Sequence, residues 1–491
     1  MRRLVSSAAA LAADRAAEEE FGYPAFLLME EAGIRLQDKL TSLGLPPGPV
    51  AYLVGPGNNG GDGWVMARQA WLAGTRNLVV VEALPSASPS CRLMASLGRR
   101  AGVPVESWPS ASAREALGQA AVWVDGTWGA GLKAPLRPGA ADIVADLETL
   151  RAERDTPVAA IDVPGGLWEG WTPDQPVLGA RWTLAPGPLK DFCFFPDLRP
   201  RVGVPVEVPL AFPRGAEPIA QILEASDLPG LLPPVLPTDH KGRRGHVALV
   251  GGAPGMTGAL VLASRSAAAA GAGLVTLGLD QELRALVAPA VPAFQVRSPG
   301  ELPGLADRFH ALVVGPGWGR TDDRPGVLAK LWDLRLPLVL DADGLVAWES
   351  LSPGPRGAPT VITPHPGEFR RLGARGSHPV EAAATLARDR GVTVVLKGAV
   401  TWILDPEGRR AVWDGANPAL GTGGSGDCLA GVVGAFLARG LGGFEAACAA
   451  VVLHAEAGRN LGATGGWFTA DRLPRALALV SAACRTRSGR L

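Results

Sequence analysis

Residues Asn417 to Asp427 read NPALGTGGSGD and run directly into the apolar segment CLAGVVGAFLARG. Four glycines and two hydroxyl residues lead into an amphipathic helix whose first turn carries Asp427. A loop of this kind offers several backbone N–H groups together with the positive end of a helix dipole, and so holds an anion. An aspartate there is poorly placed to bind that anion, but well placed to take a proton from whatever attacks it. The pattern predicts phosphoryl transfer to a hydroxyl group, with Asp427 as the base. The plainer reading is a glycine-rich turn followed by an ordinary first-turn aspartate.

Working outward, the chain reads as two α/β halves. Strand-like runs VAYLV (from Val50), NLVVVE (from Asn77), AVWVD (from Ala121) and VAAID (from Val158) alternate with helical segments in the first. HVALV (from His246), ALVV (from Ala311), PLVLD (from Pro337), PTVIT (from Pro359) and VTVVLK (from Val392) repeat the grammar in the second. Continuous apolar runs between helices are what buried parallel strands look like. Two three-layer αβα domains are therefore expected, over residues 1–212 and 226–491. The aperiodic, proline-rich stretch PLAFPRGAEP (from Pro209) marks the junction, with a linker over 213–225. Several strands end in glycine-rich or polar clusters, where ligands bind in such sheets. One site per half is the economical expectation.

Composition agrees with a folded enzyme. The 491 residues exceed one core, and 47% are hydrophobic against 19% charged. The formal net charge is zero, so nothing points to nucleic acid or an anionic membrane. Five scattered cysteines without zinc spacing fit a reducing, cytoplasmic setting. Cys428 reads as a small helix residue rather than a reactive thiol. The N-terminal MRRLVSSAAALAA has the look of a short signal peptide, but it continues into DRAAE and reads as one amphipathic helix. No uninterrupted apolar stretch reaches membrane-span length, and the alanine-rich helices would permit a homo-oligomer.

In the second half, Lys397 and Gly398 follow a buried strand and could face a nucleotide phosphate. Asp341, Asp343, His365 and Glu368 are candidates for metal, water or substrate contacts, although a histidine between prolines is also a common turn residue. The motifs HKGRRGHVALVGGAPGMTGA, GPGWG, LDADGL, TPHPGEF, LKGAVT and the loop quoted above resemble, in order, those of the NAD(P)H-hydrate dehydratases of the ribokinase-like fold. The likeness runs from about Asp239 to the C-terminus. It implies removal of water from the S epimer of hydrated NADH or NADPH at the expense of ADP (or ATP), with magnesium. Lys397, Gly398, Ala399, Val400, Thr401 and Gly426 would then contact the nucleotide. Ala259, Gly317, His365 and Asp427 would contact the hydrate.

In the first half, GPGNNG (from Gly55) fits GxGxxG after a strand, and Glu82 ends the next strand where an acid would bind ribose. A dinucleotide-binding domain is one reading. The two asparagines and Asp62 are unusual for that role, since their oxygens also suit a hard cation. With LLMEEAG, DGTWGAGLKAP and IDVPGG, the segment over about 1–210 resembles the NAD(P)H-hydrate epimerases, a Rossmann-like domain. The resemblance places Asn58, Asn59, Gly60, Gly61, Asp62, Gly129, Ala130, Gly131, Leu132, Lys133, Ala134, Pro135 and Asp162 around the hydrate, with Asp162 as acid/base. Asn59 and Asp125 would bind potassium. This half also departs from the pattern: Gly165 stands where the family's DxPSG supplies a serine ligand, and DGTWGAG replaces DALFGTG. The alternative for the whole chain is a small-molecule kinase of the same fold carrying a dinucleotide-binding module.

Overall fold

The computed structural model describes residues 2–211, 216–374, 376 and 378–487. The backbone divides into Arg3–Ala220 and Gln221–Leu491, the latter with Met1–Arg2. Residues 213–215 of the expected linker lie outside the described residues. Within the remainder, Ala220–Ile222 is a strand, with Gln221 opposite Ala411 of Arg410–Asp414. Three residues are too few to show a strand's alternation, so no periodicity marked it.

In the N-terminal unit a seven-stranded sheet runs Val105–Ser107, Leu78–Glu82, Val50–Val54, Val122–Gly126, Val158–Ile161, Trp182–Pro186, Val204–Val208. Every pairing in it is parallel. Successive side chains feed two cores, one around Leu36, Tyr52 and Trp64, the other around Leu117, Trp123 and Leu147. Hence the four runs read from sequence were continuously apolar: both faces are covered. The chain reverses direction across the sheet between Val50–Val54 and Val122–Gly126, which opens a crevice beyond their carboxyl ends. The helix expected from residue 1 begins only at Ser7, because Arg2–Val5 is a strand. Ser6 stops it there, its Oγ accepting from the Ala9 N–H at 3.1 Å. That strand pairs Leu4 with Leu189 and Val5 with Lys190, which fixes the lysine in place.

The C-terminal unit carries Gln295–Arg297, Leu274–Gly278, His246–Val250, Ala311–Val314, Leu338–Leu340, Thr360–Ile362 and Thr393–Leu396 as parallel neighbours. Val400–Leu404 and Arg410–Asp414 then continue antiparallel. Val247, Leu249, Val313, Val339 and Val361 join the core with helices Thr257–Ala269, Ser425–Ala438 and Gly443–Gly465. Leu312, Leu340 and Val394, equally buried, face the other layer. Helix Ser425–Ala438 lies so close to its neighbour that a Cβ on Gly431 would stand 2.0 Å from the Ala263 carbonyl oxygen. Among the described residues no helix is long and apolar enough to cross a membrane.

Candidate active sites

In the C-terminal unit, the quoted loop places Gly424 at φ +92°, a conformation that favours glycine, immediately before helix Ser425–Ala438. Ser425 N–H turns back to the Thr422 carbonyl at 3.2 Å, and the amides that follow it in the first turn face whatever lies at the helix mouth. A Cβ on Gly426 would sit 3.1 Å from Lys397 Nζ, so the glycine leaves room for the ammonium group. Lys397 donates to Asp341 Oδ1 at 2.8 Å, and Thr363 Oγ1 donates to the same oxygen at 2.8 Å. Burial opposes the charge on Lys397, but Asp341 and Glu368 outweigh it and raise its pKa. Ala342 adopts φ +48° and ψ −118°, a costly conformation for a residue with a Cβ, and thereby separates the tasks of its neighbours. Asp341 turns to the lysine, while Asp343 accepts from Gly319 N–H at 2.9 Å and Arg320 Nε at 3.0 Å.

Asp427 is pushed up to about 7, first by burial and then by Asp341, with Lys397 opposing and Glu368 and Asp343 adding to the rise. A carboxyl group poised near neutrality is tuned for proton transfer. A cavity of about 650 Å³ opens beside it, walled by Lys397, Gly398, Thr401, Trp413, Thr422, Gly426 and others. At its inner wall Ser425 Oγ and His454 Nε2 are 3.2 Å apart, and burial lowers the His454 pKa to about 4, so the imidazole is neutral at pH 7.

In the N-terminal unit the crevice holds a second cavity of about 460 Å³. The loop that borders it turns tightly: a Cβ on Gly60 would fall 2.1 Å from the Gly55 carbonyl oxygen. Asn59 enters from the first turn of helix Asn58–Leu72 and donates to Ile161 O at 3.2 Å. Asp162 follows strand Val158–Ile161 with φ +67°, unusual outside glycine, and its Oδ2 accepts from Ala130 N–H at 2.7 Å. Its other oxygen forms an ion pair with Lys190, which is itself buried. Strain at that point and a buried counter-charge argue against a mere turn cap.

Asp125, fully buried, is engaged otherwise. Oδ1 accepts from Thr127 N–H at 3.0 Å and Thr127 Oγ1 at 2.5 Å, and Oδ2 from Gly165 N–H at 2.6 Å. These donors present hydrogens to the carboxylate from both flanking loops, so the residues present do not fit a potassium ion at Asp125.

The sequence models of two families match the chain: NAD(P)H-hydrate dehydratase over residues 247–478, and YjeF-related protein N-terminus over 26–191. The bifunctional NAD(P)H-hydrate repair enzyme of Gloeobacter violaceus is 34% identical, with 94% of each chain covered. That of Salinibacter ruber is 33% identical over 94% of this chain and 92% of its own. The chain belongs to the bifunctional NAD(P)H-hydrate repair enzymes. A solved ribokinase-like superfamily protein from Enterococcus faecalis, 24% identical, covers 54% of this chain and 96% of its own with a TM-score of 0.51, which shows the fold.

Against the residues expected for this family, the dehydratase cavity brings together His365, Lys397, Gly398, Ala399, Thr401 and Gly426. Val400 is buried in its strand and Asp427 stands outside the wall. Ala259 and Gly317 also lie outside it but meet each other, a Cβ on Gly317 reaching 2.9 Å from Ala259 Cβ. His365 does double duty: its Nδ1 accepts from Gly367 N–H at 3.0 Å as a helix cap, and its ring remains exposed to the cavity.

The epimerase cavity includes Asn58, Asn59, Asp62, Gly129, Ala130, Gly131, Leu132 and Asp162. Gly60 and Gly61 are buried outside its wall, and Lys133, Ala134 and Pro135 are exposed and also outside it. Glu82 is paired with Arg99 at 2.6 Å, not offered to a ribose. Cys428 is buried, which raises its thiol to about 12, as suits a packing residue.

Sequence reasoning missed Lys190, Thr127, Asp14 and Glu18 in the first cavity and Ser425 and His454 in the second. Thr127 and Ser425 carried a signal, as hydroxyls inside motifs already singled out, and the others carried none.

Proposed function

We propose that the C-terminal unit dehydrates the S epimer of hydrated NADH or NADPH with ADP, and that the N-terminal unit interconverts the R and S epimers. The reading rests above all on Asp427, tuned to about 7 beside a lysine and a helix N-terminus at the edge of a nucleotide-sized cavity.

Hydroxide is a poor leaving group from C6 of the reduced ring. Asp427 takes the proton of that hydroxyl, whose oxygen attacks the terminal phosphorus of ADP as the bond to the AMP oxygen breaks. The amides at the helix mouth and Lys397 stabilise the charge on the phosphoryl oxygens. The ring nitrogen then expels phosphate from C6, and loss of the C5 proton restores the double bond. Among the described residues no three His, Cys, Asp or Glu side chains converge on a metal. A magnesium ion carried on the nucleotide phosphates would keep most of its waters and would be held by one carboxylate, such as Glu368. Bound there it would neutralise phosphate charge.

In the N-terminal unit, Asp162 and Lys190 form an ion pair at the hydrate cavity. The pair supplies the proton on which the C6 hydroxyl departs as water, leaving a ring cation that the Asp162 carboxylate stabilises. Water adding to the opposite face inverts the centre and gives its surplus proton to solvent, from which the pair is recharged.

The test is incubation with mixed R and S hydrates, magnesium and ADP or ATP, following the return of reduced-nicotinamide absorbance. Full recovery supports both activities. Recovery of the S fraction alone sinks the epimerase, and a stable phosphorylated product with no recovery favours a small-molecule kinase.

A further inference from the structure

The departure at Gly165 and the unusual hydroxyl at Thr127 belong to one arrangement. A Cβ built on Gly165 would stand 2.2 Å from Thr127 Oγ1, and 2.9 and 3.0 Å from the two oxygens of Asp125. A side chain at 165 would thus project into the space that the threonine hydroxyl fills, towards the same carboxylate. One of the two must shift. With glycine at 165, the Thr127 hydroxyl donates to one Asp125 oxygen and the Gly165 amide to the other.

We infer that Thr127 and Gly165 are a compensating pair that converts the expected potassium site into a closed, hydrogen-bonded carboxylate, so that this N-terminal unit binds no alkali cation at Asp125. Three donors satisfy a group that has no contact with water, which a buried carboxylate requires in one form or another. A cation reaching Asp125 would have to displace hydrogens already pointed at it. Asn59, the other expected ligand, turns its amide to the Ile161 carbonyl and packs beside Gly129 and Asp162, on the substrate side.

The decisive measurement is thallium(I), a scattering mimic of potassium, soaked into crystals of the full chain. No anomalous peak is expected within bonding reach of Asp125, and a peak there, with Thr127 Oγ1 among its ligands, would overturn the proposal. The Thr127→Ala/Gly165→Ser double variant should acquire that peak; its failure to do so, in a folded protein, also counts against the exchange. Gly165→Ser alone should lower the melting transition by roughly 3–10 °C through overpacking, and adding Thr127→Ala should restore it. An unaltered melting transition in the single variant would refute the steric exclusion. The kinetic arm rests on the epimerase reading: R-to-S interconversion, followed chromatographically without nucleotide, should change less than about twofold between sodium and potassium buffers, against the tenfold per 1.4 kcal/mol that losing a working ion would exceed. Rate dependence on potassium would oppose the proposal, whereas complete inactivity would strike the epimerase reading and leave the thallium result standing.

Discussion

In the C-terminal unit Asp427 sits among Asp341, Asp343 and Glu368 with a single lysine nearby, and its pKa climbs to about 7. In the N-terminal unit Asp162 faces Lys190 directly and takes the Ala130 amide as well. Asp427 follows a glycine-rich loop and Asp162 follows a strand directly; the first is poised near neutrality, whereas the second stands in an ion pair. The difference lies in how each counter-charge is used. Lys397 is bonded to Asp341, which leaves Asp427 to feel its acidic neighbours, whereas Lys190 has Asp162 itself as its partner. The first arrangement makes a base that takes a proton at neutral pH. The second makes an ion pair that exchanges its proton as a unit.

The contrast breaks most sharply under Asp427→Asn. Turnover of S hydrate should fall roughly 10²–10⁴-fold, the usual worth of a general base, with epimer interconversion untouched. Nearly full turnover would remove the base assignment. Lys190→Met should slow R-to-S interconversion by roughly 10²-fold and shift its pH profile, since Asp162 would lose the charge that keeps it ionised, and a purely structural lysine would lower stability without moving that profile.

Gly431→Ala tests the scaffold instead. Pressing a methyl group towards the Ala263 carbonyl should cost about 1–3 kcal/mol in denaturant unfolding of the C-terminal unit, with no loss in the N-terminal one.

The smallest effect concerns pH. Because the active base is the ionised form, kcat/KM for S hydrate should rise roughly tenfold per unit up to about pH 7 and then level. Stability should move the other way. The folded state keeps the Asp427 proton to higher pH than the unfolded chain, whose ordinary value is 3.8, so this group's contribution is greatest below pH 4 and is lost as pH rises through 7. Asp427→Asn should flatten that decline in melting temperature between pH 5 and 8 on about the scale that the titration spans. An unchanged slope would place the proton elsewhere.

Much of both sites was legible in the chain. Asn58, Asn59, Asp62, Gly129 and Asp162 reach one cavity, and Lys397, Thr401 and Gly426 another, because strand-end loops in parallel sheets gather on one edge. The opening strand Arg2–Val5 was misread as helix, since four residues carry too little periodicity to compete with the alanine-rich run that follows. Potassium at Asp125 was expected from motif correspondence, whereas the contact between Thr127 and Gly165, two departures in separate motifs, became visible only once their loops met.

Local chemistry is what the sequence settled by itself. Apolar runs of strand length, and glycines where backbones must approach or turn left-handed, impose their geometry on the few residues around them. Which charges meet was left to the tertiary structure. Lys397 finds Asp341 across 56 residues, and Gly165 reaches Asp125 across 40. Electrostatic and steric terms depend on distances of a few ångströms between side chains, which are fixed only when separate loops are carried to the same edge of a sheet.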